Sequence, residues 1–315
     1  MHRNGARRAH AQDRCNGDAA GLPMKKAMVI LLAGALLAGL LLWAAPRLRP
    51  APAFEPPASV PLAGLSWDVY GGDAGGLKYS PLSQVNRSNV HRLRTAWQYS
   101  TGDATRHPRE IKVGSLHATP ILTPPAAGRH LVFCIPFNRI IALDPATGAP
   151  RWEYDAGYEP LRPNMRYNCR GVALWHDAAA AAGSACEWRI FMGTNHRRLV
   201  AVDARDGRPC QDFGVDGVVD VNPMIAAAAP RGAPVEGISF VSPPTLVGDV
   251  VVLGATGSMK FRNLAATNGA ARAFDARSGA PRWVFDPIPR DPADPQHAGW
   301  TAPALERPGG AEPWA

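Results

Sequence analysis

The stretch RIIALDPATGAPRWEYD (139–155) decides the fold, because it recurs. RLVAVDARDGRPCQDFG (198–214) and ARAFDARSGAPRWVFD (271–286) repeat its plan. In each copy an apolar strand ends at an Asp, and a Gly follows four residues later: Asp144 and Gly148, Asp203 and Gly207, Asp275 and Gly279. Two copies place a Trp four residues past the Gly, Trp152 and Trp283; the other has Gln211 there, with Phe213 close by. The physical reading is a β-hairpin. The Asp caps the turn, the Gly takes a positive φ, and the aromatic packs the next strand against its neighbour. The Asp positions are 59 and 72 residues apart, too far for a solenoid coil. They suit one four-stranded propeller blade each, with insertions.

Composition agrees. The 315 residues carry 46% hydrophobic side chains, enough for a packed core, with 31 Gly and 31 Pro to make many turns. Residues 65–103 read as an entry module: a Gly-rich turn, a short polar helix capped by Asn86 or Ser88, then a strand around Trp97. Three strand-rich units follow, from HATPILT (117–123) to 155, from NCRGVALW (168–175) to 214, and from VSPPTLVGDVVVLG (241–254) to 286. After Asp286, Pro and Gly recur and no strand of five residues is expected. The expected fold is therefore all-β, a partial propeller of about three blades. Propellers close with roughly four to eight, so the array is expected to leave a blade face bare.

Charge and hydropathy place the chain at a membrane. The net charge is +8, but residues 1–49 hold +6 of it and the remainder only +2. This is a topology signal around an apolar segment and excludes a nucleic-acid-binding face. Residues 27–45, AMVILLAGALLAGLLLWAA, are nineteen residues without a charge, just enough to span a bilayer core of about 30 Å. Lys25 and Lys26 precede them, so residues 1–26 stay in the cytoplasm and residues 46 onward are exported. Two readings fit: a transmembrane signal anchor, which is favoured, and a cleaved signal peptide starting at Met24. Residues 46–64 form a Pro-rich linker. Cys134, Cys169, Cys186 and Cys210 form an even set beyond the membrane, where disulfides persist. Four cysteines allow three pairings. Cys169–Cys186 is the preferred first pair because the two flank one loop-like insertion; four buried free thiols are the alternative.

Other chemistries find little support. His91, His107, His117 and His130 make no i,i+4 metal pair, no G-x-S-x-G elbow occurs, and YGGDAGG (70–76) lacks the sequel of a phosphate loop. A glycan-hydrolysing propeller would need paired carboxylates around a pocket, and the sequence offers no such pair.

The segments WDVYGGDAGGLKYSPLSQVNRSNVHRLRTAWQYSTGD, CIPFNRIIALDPATG, NCRGVALW, RPCQDFGVDG and SPPTLVGDVVVLG, in this order, resemble successive landmarks of the membrane-bound quinoprotein dehydrogenases. These pyrroloquinoline-quinone enzymes oxidise glucose, quinate and related polyols. The resemblance covers about residues 65–290. It implies an eight-bladed periplasmic propeller of which this chain holds the N-terminal half, with 291–315 as an irregular, truncated or frameshifted tail. It implies pyrroloquinoline quinone and calcium as cofactors. Its partners would be the inner membrane, ubiquinone as electron acceptor and a small alcohol or sugar as substrate. The family's general-base Asp and quinone-contacting Lys belong to later blades, so no catalytic residue is assigned. Arg170 of the CRG-type motif matches the Arg that holds a cofactor carboxylate. His117 stands where the family has a Glu, Arg166 where it has a His, and Ser100 where it has an Arg. Ser258 and Met259 stand where glucose-type members carry Asp-Asn metal ligands, so no metal ligand is assigned either. These departures also admit a non-enzymatic, membrane-anchored propeller that serves binding or assembly.

Overall fold

A computed structural model of the chain describes residues 67–73, 75–160, 167–229, 238–256, 269–289 and 291–306. The expected membrane anchor at 27–45 and the linker at 46–64 lie outside the described residues, as do Arg166, Ser258 and Met259. Among the described residues no helix is long and apolar enough to cross a membrane.

A short strand β1 (Gly114–Leu116) precedes the first blade, β2 (Ile121–Leu122), β3 (Leu131–Ile135), β4 (Arg139–Leu143) and β5 (Pro150–Asp155). Strand β6 (Tyr167–Cys169) leads into the second, β7 (Ala173–His176), β8 (Trp188–Gly193), β9 (Arg198–Asp203) and β10 (Val218–Asp220). The third is β11 (Thr245–Val247), β12 (Val250–Leu253), β13 (Ala271–Asp275) and β14 (Pro281–Phe285). Each blade is a four-stranded antiparallel meander, one per sequence repeat. The sheet neighbours are consecutive in sequence, which keeps connections short.

The repeated turns fold as their residues dictate. Asp144 Oδ1 accepts the Ala146 and Thr147 amides at 2.9 Å, and the Gly148 amide donates to Asp144 O at 2.9 Å. Asp203 with Gly207 and Asp275 with Gly279 repeat the pattern, and the three glycines have φ of 70°, 74° and 73°. The glycines also admit a neighbour. A Cβ on Gly207 would sit 2.5 Å from the Trp152 ring, and one on Gly148 would sit 2.5 Å from Trp97. Each indole lies on the next turn and donates its N–H at 3.2 Å, Trp152 to Ala204 O and Trp97 to Pro145 O.

The middle strands are covered on both faces. All five residues of β4 are buried, and Ile140 and Ile141 are buried on opposite faces. Burying each such side chain contributes about 1.5–3 kcal/mol. One core lies between blades one and two, around Ile140, Val132, Val200 and Trp152. Another lies between blades two and three, around Phe191, Phe213, Leu253 and Phe274. The outer margin of blade three is exposed in the described residues. Trp283, Val284 and Phe285 of β14 are 47%, 50% and 54% exposed. On the other margin Trp97, Tyr99, Phe133 and Leu143 line an apolar groove of about 760 Å³.

Four expectations need correction. The disulfides are Cys134–Cys169 and Cys186–Cys210, which overturns both the Cys169–Cys186 pair and the free-thiol alternative. The β7–β8 hairpin explains it. Cys169 precedes β7 and Cys186 precedes β8, so an antiparallel hairpin sends them to opposite ends. The second blade does not end at 214. Residues 214, 216 and 217 take positive φ, and β10 forms only at Val218–Asp220. The segment around Trp97 forms no ladder, although its indole docks as a blade strand's would. The polar helix is a 3₁₀ turn at Val90–Arg92, because the Asn86 carboxamide accepts the Ser88 amide (2.9 Å) in a local turn. Beyond Asp286 the described residues hold no strand, as expected, but they include a short helix, Ala302–Glu306.

Candidate functional site

Arg170 directly follows β6, which pairs in parallel with β1; the pairing ends where Leu116 lies opposite Cys169. His117 directly follows β1, so both residues stand one position past the last paired ones. The Arg170 carbonyl accepts the Thr119 amide at 3.0 Å, and the Arg170 amide donates to Val241 O at 2.9 Å. Two residues proposed from the sequence, His117 and Arg170, thus leave the same end of this strand pair. Ser100 is not with them; it lines the groove on the outer margin of blade one.

The backbone around Arg170 is fixed on every side. Cys169 is bonded to Cys134 of β3. Asn168 O accepts from Asn195 Nδ2 at 3.5 Å, and the same amide donates to Pro136 O at 2.8 Å. The Asn195 backbone N–H donates to Asn138 Oδ1 at 3.0 Å, and Asn138 Nδ2 donates to Gly157 O at 3.0 Å. A Cβ on Gly171 would lie 2.9 Å from Pro243 Cγ and 3.1 Å from Tyr70 Cδ2, so this position needs glycine. The Arg170 side chain is half-buried and His117 is exposed. A guanidinium held on so constrained a backbone is pre-organised, and its planar fork matches a carboxylate.

Next to this strand the structure assembles aromatic rings that sequence reasoning left scattered. His107 lies 4.3 Å from Phe137 and 4.6 Å from Tyr158, centroid to centroid. Tyr167 of β6 lies 5.7 Å from Phe137 and 5.3 Å from Tyr158, and His196 lies 6.2 Å from Tyr158. Burial, together with Tyr167 beside it, pushes the Tyr158 phenol far above its ordinary value. Burial pulls His196 below its ordinary value, and the Glu159 amide donates to His196 Nε2 at 3.1 Å. That nitrogen is therefore an unprotonated acceptor. Tyr158, Glu159, His196, Arg198 and Asn222 line a polar cavity of about 510 Å³ on the same rim. One signal was available: PFNR (136–139) and TNHR (194–197) both connect the second and third strands of a blade, so Phe137 and His196 lie at one end of adjacent blades.

Among the described residues no three His, Cys, Asp or Glu side chains converge as a metal site would require. What the described residues offer is an arginine on a tethered backbone, next to a strand whose Tyr167 joins a cluster of packed rings. That fits one acidic edge of a planar, polycarboxylated molecule.

The chain resembles known proteins over the same residues. The family described as PQQ: glucose/ethanol/alcohol dehydrogenase, beta-propeller domain, matches residues 67–315. The quinate/shikimate dehydrogenase (quinone) of Acinetobacter baylyi is 34% identical over 72% of this chain and 28% of its own length. The quinoprotein glucose dehydrogenase of Escherichia coli is 32% identical over 74% of this chain and 28% of its own length. Among solved structures, the quinohemoprotein alcohol dehydrogenase of Comamonas testosteroni superposes with a TM-score of 0.50 at 22% identity, covering 73% of this chain and 28% of that one. The chain thus spans a little over a quarter of the length of these relatives.

Proposed function

The chain belongs to the PQQ-dependent dehydrogenase β-propeller family, and from that premise we propose that it builds the first blades of a membrane-anchored periplasmic quinoprotein. The proposed reaction is oxidation of a CH–OH group on a sugar, polyol or cyclic alcohol of the glucose or quinate type, with electrons passed to a ubiquinone in the inner membrane. Residues 27–45 are the proposed anchor. The substrate class rests on what the relatives' names say of them.

The observation that carries the reading is the backbone clamp on Arg170. In this role Arg170 grips one carboxylate of pyrroloquinoline quinone with both arms of its fork. His117, just past the end of β1, is the second proposed contact, and Arg166 the third. The ring cluster around Tyr158 and Tyr167 excludes water from that edge. Bound, the quinone would supply the two-electron acceptor, with calcium polarising it. Turnover is proposed for a closed ring of blades and not for these three alone, since no residue here is assigned as the base. A second reading, a membrane-anchored module for binding or assembly, is favoured by His117 standing where the family has a Glu.

The test uses the purified chain with pyrroloquinoline quinone and calcium. Quinone binding is followed by tryptophan fluorescence and turnover by dye reduction with glucose, quinate and glycerol. Weak quenching that Arg170→Ala abolishes, without dye reduction, is the expected result. Quenching that Arg170→Ala leaves unchanged would remove Arg170 from the site, and no quenching at all would favour the binding or assembly module.

A further inference from the structure

The two disulfides are alike in size and unlike in place. The partners of Cys134–Cys169 are 35 positions apart in sequence and those of Cys186–Cys210 are 24 apart. Chain-entropy stabilisation grows only with the logarithm of loop length, so the two bridges should contribute almost equally to stability. Their neighbours differ. Cys186–Cys210 joins the start of β8 to the Asp203 turn within blade two, and the Cys186 amide donates to Asp203 Oδ2 at 2.7 Å. Cys134–Cys169 ties β3 of blade one to β6. Cys134 is fully buried in the middle of β3, paired with Ile140 of β4, while Cys169 is the residue before Arg170.

Strand β6 needs such a tether. It is three residues long and belongs to none of the four-stranded sheets; its one strand partner is β1, in a parallel ladder. A parallel ladder this short is a weak support. Beyond the ladder, the backbone on either side of Cys169 is linked by single hydrogen bonds, from Thr119 to Arg170 O, from Arg170 to Val241 O and from Asn195 to Asn168 O, while Tyr167 packs its ring on Phe137 and Tyr158. We propose that the Cys134–Cys169 disulfide is the positioning element of the Arg170 site, fixing the strand that presents the guanidinium, whereas Cys186–Cys210 serves stability alone. The role rests on reading Arg170 as the carboxylate anchor.

The experiment compares Cys134→Ala/Cys169→Ala with Cys186→Ala/Cys210→Ala in the full chain, measuring thermal unfolding, hydrogen exchange by mass spectrometry and quinone binding by tryptophan quenching. Both double variants should lower Tm by similar amounts. In the first alone, exchange in 114–119 and 167–172 should speed by on the order of tenfold or more. In the first alone, the half-saturating pyrroloquinoline quinone concentration should rise by about ten- to a hundredfold. If the first pair fails to fold, the volume-filling pair Cys134→Val/Cys169→Ala carries the same comparison. Equal effects of both disulfides on exchange at 167–172 and on affinity would overturn the proposal, as would no effect of the first. If the wild-type chain shows no quenching but the exchange pattern holds, the quinone reading fails while the tether stands.

Discussion

The joint between blades one and two and the joint between blades two and three dock the same kind of turn by different chemistry. At the first, the Trp152 indole lies flat on Gly207 and is buried. His130 supports it edge-on at 6.4 Å and donates from Nε2 to Arg205 O at 3.1 Å. At the second, the repeat has Gln211 where Trp would stand, and Gln211 is exposed. Gly279 is instead covered by Val219 and Phe213, with Val219 Cγ2 2.5 Å from where a Cβ would lie. The remaining work falls to arginines. Arg189 donates to Arg277 O at 2.7 Å, to Cys186 O at 3.0 Å and to Asp212 at 2.5 Å. Arg277 reaches Asp177 and Asp249 at 2.9 and 2.8 Å, and both guanidiniums lie over Trp175, at 5.6 and 5.2 Å. A glycine at this turn thus leaves room for a close neighbour, and the fold fills it either with an aromatic lid or with an aliphatic lid plus a cationic clamp.

The tryptophans give the largest effect. Trp152 and Trp283 occupy the same place in their repeats, yet one is 9% and the other 47% exposed. Trp152→Ala should cost about 3–5 kcal/mol, as large-to-small changes in cores do. Trp283→Ala should cost about 0.5 kcal/mol or less, as exposed substitutions do. Urea unfolding of the two variants checks the contrast. Equal losses would mean that sequence position, and not the neighbouring turn, sets the contribution.

The arginine clamp should matter less and differently. Arg189 is 2% exposed and makes charged hydrogen bonds to backbone and carboxylate, so Arg189→Met should cost about 2 kcal/mol. Added salt should accelerate hydrogen exchange in β13 and β14 more than in β4 and β5, since partly exposed ion pairs are screened and an indole on a glycine is not. Uniform salt sensitivity across the three blades would break the distinction between the joints.

What was legible in the sequence follows from where residue type and backbone are bound together. The Asp–Gly turns were readable because a cap and a positive φ each demand particular residues at fixed spacing, and the three blades followed from them. The β1–β6 ladder that His117 and Arg170 follow left no signal in the sequence, because a parallel strand pair between distant segments has no local period. The disulfides were misread because proximity along the chain was taken for proximity in space, which an antiparallel hairpin reverses. The late start of β10 was hidden by Gly214, Asp216 and Gly217, whose positive φ values bend the chain before it pairs. The ring cluster drew on His107, Phe137, Tyr158, Tyr167 and His196, five unremarkable positions until the blades stack.

The smallest predicted effect separates the joints by pH. Burial lowers His130 below its ordinary 6.5, outweighing its bond to the Arg205 carbonyl. The unfolded chain therefore binds a proton there before the folded one does. Stability from this group is complete above about pH 6.5 and falls as pH drops from there through the lowered folded value, by less than about 1.4 kcal/mol per unit. Joint two–three has carboxylates in that role. Burial alone would raise Asp275, but the Ser278 amide and Arg282 hold it at about 2, and Arg277 likewise overcomes burial to lower Asp177. Their contribution persists above about pH 4 and is lost below it. Hydrogen exchange at pH 7.0, 5.5 and 3.5, chosen to bracket roughly these two windows, should loosen the Arg205–Gly207 turn first and the Arg277–Gly279 turn only at the lowest pH. His130→Gln, which keeps a donor for Arg205 O, should erase the first step alone. Loosening of both turns together at pH 5.5 would show that one cooperative unit, and not two chemically distinct joints, holds the blades.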